Sequence, residues 1–376
     1  MVAPEPDPAA PKPLSTSRKV TLALVSVGIS VLFILAVGEV AVRILGLGVE
    51  LYDNADPVLG HRFKRNLDLQ AYEMGTRLHY RTNSLGFRGP EPRAVKDRPR
   101  VVFVGDSFTA GSDWHEEETF PRLVEKALDV EVINLGVPAY DTGTELTALT
   151  HVGLPLKPDV VVLCIYTGND IRENSREMGT LPRPTFSLDA QGALVPHPFT
   201  PRGERLGQWL LGRSALYAWQ KHEVRRLMFR ARAGARGGDP MHEVYATRED
   251  PRWTTAWLVT EALLARMRDT VEQAGATLRI FVIPDVVQVD DDAWTALVAQ
   301  SPSLGALQRD LPQQRLLEIA ARQKLIMVDL LPTLRAAGRA LDKEDPLYHG
   351  HLVRRGHATV TPVMVETLRG VLPAAK

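Results

Sequence analysis

Five short apolar runs rich in β-branched residues, Arg100–Val104, Val130–Asn134, Val160–Tyr166, Thr277–Ile283 and Leu325–Asp329, recur along the chain with helix-length segments between them. A strand that is apolar on both faces must be covered on both faces. The segments Pro121–Leu128, Thr144–Val152, Trp257–Ala274, Gln313–Arg322 and His357–Leu372 carry the i, i+3, i+4 apolar spacing of helices that would cover it. The pattern predicts a flavodoxin-like three-layer α/β/α sandwich around a five-stranded parallel sheet, with ligands meeting the carboxyl ends of the strands. Between the third and fourth runs, Ile171 to about Thr260 is too long for a plain connection and reads as an insertion with structure of its own.

The amino-terminal end obeys a different constraint. Val20–Gly38 is nineteen residues without a charge, and the apolar character continues past Glu39 and Arg43 to Leu45. That length crosses a bilayer core as a helix. A cleaved signal peptide has a shorter apolar region and a small-x-small site, which Ala36-Val37-Gly38 matches poorly, so residues 20–45 read as an uncleaved single-pass anchor. Lys12, Arg18 and Lys19 precede the span and only Arg43 lies close after it. The positive-inside rule then keeps the Pro/Ala-rich tail, residues 1–19, in the cytoplasm and puts the rest outside. Residues 46–99 are turn-rich and read as an irregular or β-hairpin lead-in to a domain of residues 100–376. Residues 201–236 hold nine Arg or Lys against two Glu, interleaved with Leu216, Tyr217, Trp219, Leu227, Met228 and Phe229. Such a helix suits an anionic membrane or an acidic polymer, or serves as a solvated cap over the mouth of a site.

Charge and cysteine content remove other classes. Forty-five Lys plus Arg balance forty-five Asp plus Glu, so no global attraction draws the chain to nucleic acid. The single cysteine, Cys164, allows neither an intramolecular disulfide nor a Cys-based zinc cage, and its place in an apolar run makes it a core residue.

The chemistry-bearing residues gather at predicted strand ends. The first run leads into Gly105-Asp106-Ser107-Phe108-Thr109-Ala110-Gly111, where a serine hydroxyl can face solvent and its N–H a developing oxyanion. The second ends in Asn134-Leu135-Gly136-Val137-Pro138 and the third in Tyr166-Thr167-Gly168-Asn169-Asp170. Gly136 admits a close approach to backbone, and Asn169 can aim a side-chain N–H at the same point. Near the carboxyl terminus, His349-Gly350-His351-Leu352-Val353-Arg354-Arg355-Gly356-His357 supplies an imidazole. Asp290-Asp291-Asp292 reads as the acidic start of a helix rather than a cation site, His115 as a surface residue and His357 as structural.

GDSFTAG, a strand-end glycine, GND, and HL followed by GH, in that order, resemble the SGNH/GDSL hydrolase superfamily. TNSLGFRG before the first strand and a span ending in E-x-x-x-R resemble its membrane-anchored bacterial members. The resemblance implies Ser107 as nucleophile and His351 as general base. It also implies an oxyanion hole of the Ser107 N–H, the Gly136 N–H and the Asn169 side chain, with no metal or organic cofactor. One departure stands out. The orienting Asp expected two or three residues before the base is replaced by His349 and Tyr348, and the nearest acids upstream are Asp345, Glu344 and Asp342. Either Asp345 reaches the ring by another loop path, or a backbone carbonyl takes its place in a Ser–His dyad, or activity is weak. The function implied is an esterase or O-acyltransferase acting on acyl groups, chiefly acetyl groups of a cell-envelope polysaccharide. It would sit on the bacterial inner membrane, facing the periplasm or exterior. Alternatives are a lipid esterase or lysophospholipase, and a non-catalytic polysaccharide-binding or assembly protein on a degenerate hydrolase fold.

Overall fold

The structure, a computed structural model, describes residues 15–47, 50–73, 76–179, 183–199, 205–235 and 240–373. It divides into two compact units, residues 1–50 with 209–223, and residues 51–208 with 224–376. In the first, α1 (Thr16–Ile44) is a single 29-residue helix whose apolar side chains are nearly all exposed.

The second unit opens on two antiparallel hairpins, β1 (Tyr52–Asp56) with β2 (Gly60–Phe63) and β3 (Asp68–Glu73) with β4 (Thr76–Arg81). Then follow β5 (Arg100–Gly105), α2 (Ser107–Ala110), α3 (Phe120–Leu128), β6 (Glu131–Asn134), α4 (Thr142–Ala148), β7 (Val160–Tyr166) and α5 (Asp170–Glu173). The stretch between the third and fourth sheet strands contains a hairpin of β8 (Thr185–Leu188) and β9 (Leu194–His197), α6 (Arg205–Leu211) and α7 (Ala215–Ala235). The chain returns through α8 (Pro251–Gln273), β10 (Thr277–Ile283), α9 (Val286–Val289), α10 (Asp291–Gln300), α11 (Leu311–Gln323), β11 (Met327–Asp329) and α12 (Leu331–Ala336). It closes with a tight pair, β12 (Tyr348–His349) and β13 (His351–Leu352), and α13 (Arg354–Arg369).

The central sheet has the order β11-β10-β7-β5-β6 and is parallel throughout. Strand order reverses at β5, which pairs with β6 on one side and β7 on the other, so a crevice opens at the carboxyl ends of these three strands. Every residue of β5, β6 and β7 is buried. One face packs Val101, Phe103, Val162 and Cys164 against Phe120 and Val124 of α3 and Val360 and Met364 of α13. The other face is covered by α4, α8 and α11. Each fully buried Val or Phe contributes about 1.5–3 kcal/mol of transfer free energy. That makes this sheet the element least able to shift, and its strand ends a rigid platform.

Candidate active site

Asp106 caps α2, its carboxylate accepting the Phe108 N–H at 2.9 Å, and this sets Ser107 as the first helical residue beyond β5. The helix ends after one turn because Gly111 adopts a left-handed φ of 63°; a Cβ there would lie 2.2 Å from Thr119 Cγ2, so only glycine makes this exit. The turn carries the next residues back toward the serine. Ser107 Oγ lies 2.7 Å from His351 Nε2, and His351 Nδ1 lies 2.5 Å from Asp113 Oδ2. The side chains of Asp113 and His351 are 6% and 28% exposed, which leaves the imidazole reachable and its carboxylate partner shielded. The Phe108 ring meets the imidazole edge-on at 4.9 Å and is itself stacked on Tyr166 at 4.1 Å. Behind the histidine, the Tyr348 hydroxyl donates to the Pro284 carbonyl at 2.9 Å and ties the β12–β13 pair to the end of the sheet.

Asp345 does not reach this ring. Its carboxylate lies 3.8 Å from Arg354 and from Arg355 and is about half exposed. The cause is the hairpin: His351 faces His349 across the turn at Gly350, whereas Asp345 precedes β12 at the open end. The imidazole nitrogen that a backbone carbonyl would have held in a dyad, Nδ1, is held by Asp113.

Asp113 is held from outside the hydrolase strands. The Tyr80 hydroxyl, from β4, donates to the Ser112 carbonyl at 2.5 Å. Arg88, 1% exposed, donates to the carbonyls of Ala110, Gly111 and Trp114, the first at 3.2 Å and the last at 2.8 Å. Its guanidinium also lies over the Tyr80 ring, 4.7 Å from the centroid. Two residues of the lead-in thus hold the carbonyls of Ala110, Gly111, Ser112 and Trp114, on both sides of the residue that presents the carboxylate.

On the opposite side, Asn169 Nδ2 donates to the Tyr140 carbonyl over a long 3.4 Å, and its Oδ1 is buried with no partner among the described residues. Gly136 stands differently from expectation. Its N–H donates to Asn134 Oδ1 at 2.9 Å, and Asn134 Nδ2 donates in turn to the Thr109 carbonyl at 2.7 Å. A Cβ on Gly136 would lie 2.5 Å from Ala110 N, so the glycine allows close packing on α2 while its N–H is already committed. Three residues on, Ala139 has a left-handed φ of 65°, rare for a residue with a Cβ. Its carbonyl accepts from Arg183, and no acceptor for its N–H is found among the described residues. Arg183, from the stretch after α5, is fully buried and pairs with Asp141 and Glu173.

Beneath the serine lies a set of buried carboxyls. Burial lifts Asp106 to a pKa of about 6, against the opposing pull of the Phe108 N–H. Burial, reinforced by neighbouring carboxylates, raises Glu145 and Asp170 well above the usual carboxylate range. Neither oxygen of Glu145 has a hydrogen-bond partner among the described residues. His357, fully buried, accepts the Phe120 N–H at 3.3 Å, and burial depresses its pKa to about 3. Asp290 caps α10 through the Ala293 N–H, His115 is exposed and Cys164 is buried in β7.

No curated protein matches the chain. Solved structures that resemble it include a lipase/acylhydrolase from Enterococcus faecalis, 16% identical over 74% of this chain and 99% of that one, with a TM-score of 0.39. An acetyl xylan esterase is 13% identical over 72% and 99%, with a TM-score of 0.41. The family model for GDSL-like lipases and acylhydrolases matches residues 103–359, from within β5 to within α13, and the chain belongs to that family of esterase-type serine hydrolases.

Proposed function

We propose that the chain is a membrane-anchored esterase or O-acyltransferase that works through an acyl-enzyme on Ser107, with His351 as base and Asp113 as its orienting acid. The observation that carries this reading is the unbroken relay from Ser107 Oγ to His351 Nε2, 2.7 Å, and from His351 Nδ1 to Asp113 Oδ2, 2.5 Å. The imidazole takes the hydroxyl proton as Oγ attacks the ester carbonyl, and the carboxylate at Nδ1 stabilises the imidazolium that forms. The C–O bond to the alcohol then breaks, the imidazolium protonates the leaving alkoxide, and water or an acceptor hydroxyl resolves the acyl-Ser107 ester by the reverse sequence. The oxyanion is held by the Ser107 N–H and Asn169 Nδ2. The third donor is the Gly136 N–H, which exchanges its bond to Asn134 Oδ1 for the oxyanion.

The substrate class is an O-acylated, chiefly O-acetylated, envelope polysaccharide. Support comes from the basic residues Lys12, Arg18 and Lys19 before the apolar span, which direct the hydrolase outward, and from polar, exposed His115 and His349 near the relay. A lipid ester is the second reading, favoured by the exposed apolar side chains Val224, Leu227 and Met228 on α7.

Intact-protein mass spectrometry after mixing with an activated acetyl ester tests the reading. One acetyl group on the wild type, localised to Ser107 and lost in Ser107→Ala, is expected; a Ser107→Ala protein that still acylates and hydrolyses overturns it. A chain-length series of nitrophenyl esters separates the substrates, with acetyl preferred over octanoyl on the first reading and the reverse on the second.

A further inference from the structure

Glu39 and Arg43 lie near the end of a helix that is uncharged from Val20 to Gly38, and neither touches the chemistry. A carboxylate in such a place needs a reason, because one set against an apolar span loses water and calls for hydrogen-bond donors. The reason lies 170 residues away. Glu39 shares the capping of α7 with Ser214, whose hydroxyl accepts the Tyr217 N–H at 3.1 Å. The Glu39 carboxylate accepts the Ser214 hydroxyl at 2.8 Å and the N–H groups of Ala215 and Leu216 at 2.9 and 3.0 Å, which are orphan donors of the first turn. Arg43 closes the arrangement, donating to Glu39 at 2.7 Å and to the Arg213 carbonyl at 2.7 Å. A negative charge at a helix N-terminus also opposes the helix dipole favourably. Gly38 gives the approach its room: a Cβ there would lie 3.2 Å from Leu216 Cδ2.

From this we infer that Glu39-x-x-x-Arg43 is a staple that fixes residues 209–223 to the exit of the membrane span, so that the start of α7 lies along the headgroup layer of an anionic bilayer. The inference rests on the reading of α1 as a membrane span. The docked segment has the composition such a layer selects. Trp209 and Trp219 are 52% and 36% exposed, and Arg213 stacks over Trp209 at 5.0 Å. Aromatic and basic side chains are favoured together at that depth. At 100° per residue, Leu216, Trp219, Val224, Leu227 and Met228 fall within one half of the α7 circumference. The last three of these are each about half exposed or more. The nine-to-two excess of basic over acidic residues in 201–236 selects an anionic surface over a neutral one.

The test uses the full chain in vesicles of phosphatidylethanolamine and phosphatidylglycerol. Cys164 is fully buried, so an environment-sensitive dye reacts selectively at a cysteine introduced at exposed Gln220 or, as a reference, at exposed Glu344. Shallow doxyl-lipid quenching of Gln220→Cys well above that of Glu344→Cys is expected. Adding Glu39→Ala, or independently Gly38→Leu, should cut the excess about fivefold, the scale of losing a helix N-cap. Turnover of a soluble activated ester should stay unchanged, which shows that the fold is intact. Equal quenching at both sites, with the protein still floating with the vesicles after a high-salt wash, overturns the staple and leaves the anchor standing. Quenching that survives both substitutions also overturns it. Failure to float overturns the anchor reading and the staple with it.

Discussion

Two loops bring carboxylates toward His351, and they differ in what holds them. The loop after α2 carries Asp113, shielded from solvent, with its carbonyls gripped by buried Arg88 and by Tyr80. The loop before β12 carries Asp342, Glu344 and Asp345, and Asp345 is half exposed with Arg354 and Arg355 each 3.8 Å away. An exposed carboxylate near exposed arginines is screened and free to rotate, whereas a fixed one keeps its geometry through the proton transfer. Nearness along the chain to the base therefore says little about which acid serves it. What decides is whether the backbone around the carboxylate is tied down.

The contrast can be broken most directly by exchanging the two acids' fates. Asp113→Asn should lower kcat by roughly 10²- to 10⁴-fold, by analogy with the triad acid, while Asp345→Asn should leave steady-state ester hydrolysis within about twofold of wild type. If the order is reversed, the Ser107–His351–Asp113 relay is not the working one. A sharper version restores an acid from the other loop. His349→Asp should give no gain in the wild type but should recover about tenfold in the Asp113→Asn background, because a carboxylate two residues before the base is then the only one able to meet Nδ1.

A smaller effect tests the grip itself. Tyr80→Phe removes one donor from the Ser112 carbonyl, worth about 1 kcal/mol, and should reduce kcat by about fivefold with KM nearly constant. A change in KM alone would mean that the loop shapes substrate binding and not the acid.

The smallest effect falls on stability. Asp106, Glu145 and Asp170 have folded-state pKa values above those of the unfolded chain, because burial disfavours their charge. The folded protein then retains protons that the unfolded chain has released, so this contribution is complete at low pH and is lost as pH rises from about 4 through about 6 for Asp106 and higher for the other two. Glu145→Gln removes a buried group that must otherwise hold a proton. It should flatten the fall in Tm between pH 5 and pH 8 and raise Tm at the upper end, as read by calorimetry. An unchanged slope would remove Glu145 from the group responsible.

The sheet was legible because its signal is local: β7 and β10 begin and end where their apolar runs do, and α3, α8 and α11 start only a few residues before the expected positions. The meeting of Ser107 with His351 was legible because the one follows a strand end and the other precedes a recognisable Gly-His pair. Asp113 was not, since it meets His351 across 238 residues and no spacing rule links them. A usable hint was present in Arg88, a cation in an otherwise apolar GFRG stretch that needs carbonyls to satisfy it. The bond made by the Gly136 N–H was not legible, because a sequence shows that a glycine admits close approach but not what approaches; here it is Ala110, with Asn134 as the acceptor. The left-handed Ala139 carries no sequence mark, since alanine is not a residue chosen for that conformation.

Arg88 and Tyr80 also bear on how the protein can be shortened. The family match begins at residue 103, and a chain cut there would lose β5 in part and the lead-in entirely. Even a cut at residue 99, which spares all five sheet strands, would strip the carbonyls of Ala110, Gly111, Ser112 and Trp114 of the donors that Arg88 and Tyr80 supply. Such a fragment would present the serine and the histidine on an intact sheet while its acid wandered. A soluble version for enzymology should therefore begin before Leu51, whose carbonyl already accepts the Lys64 N–H.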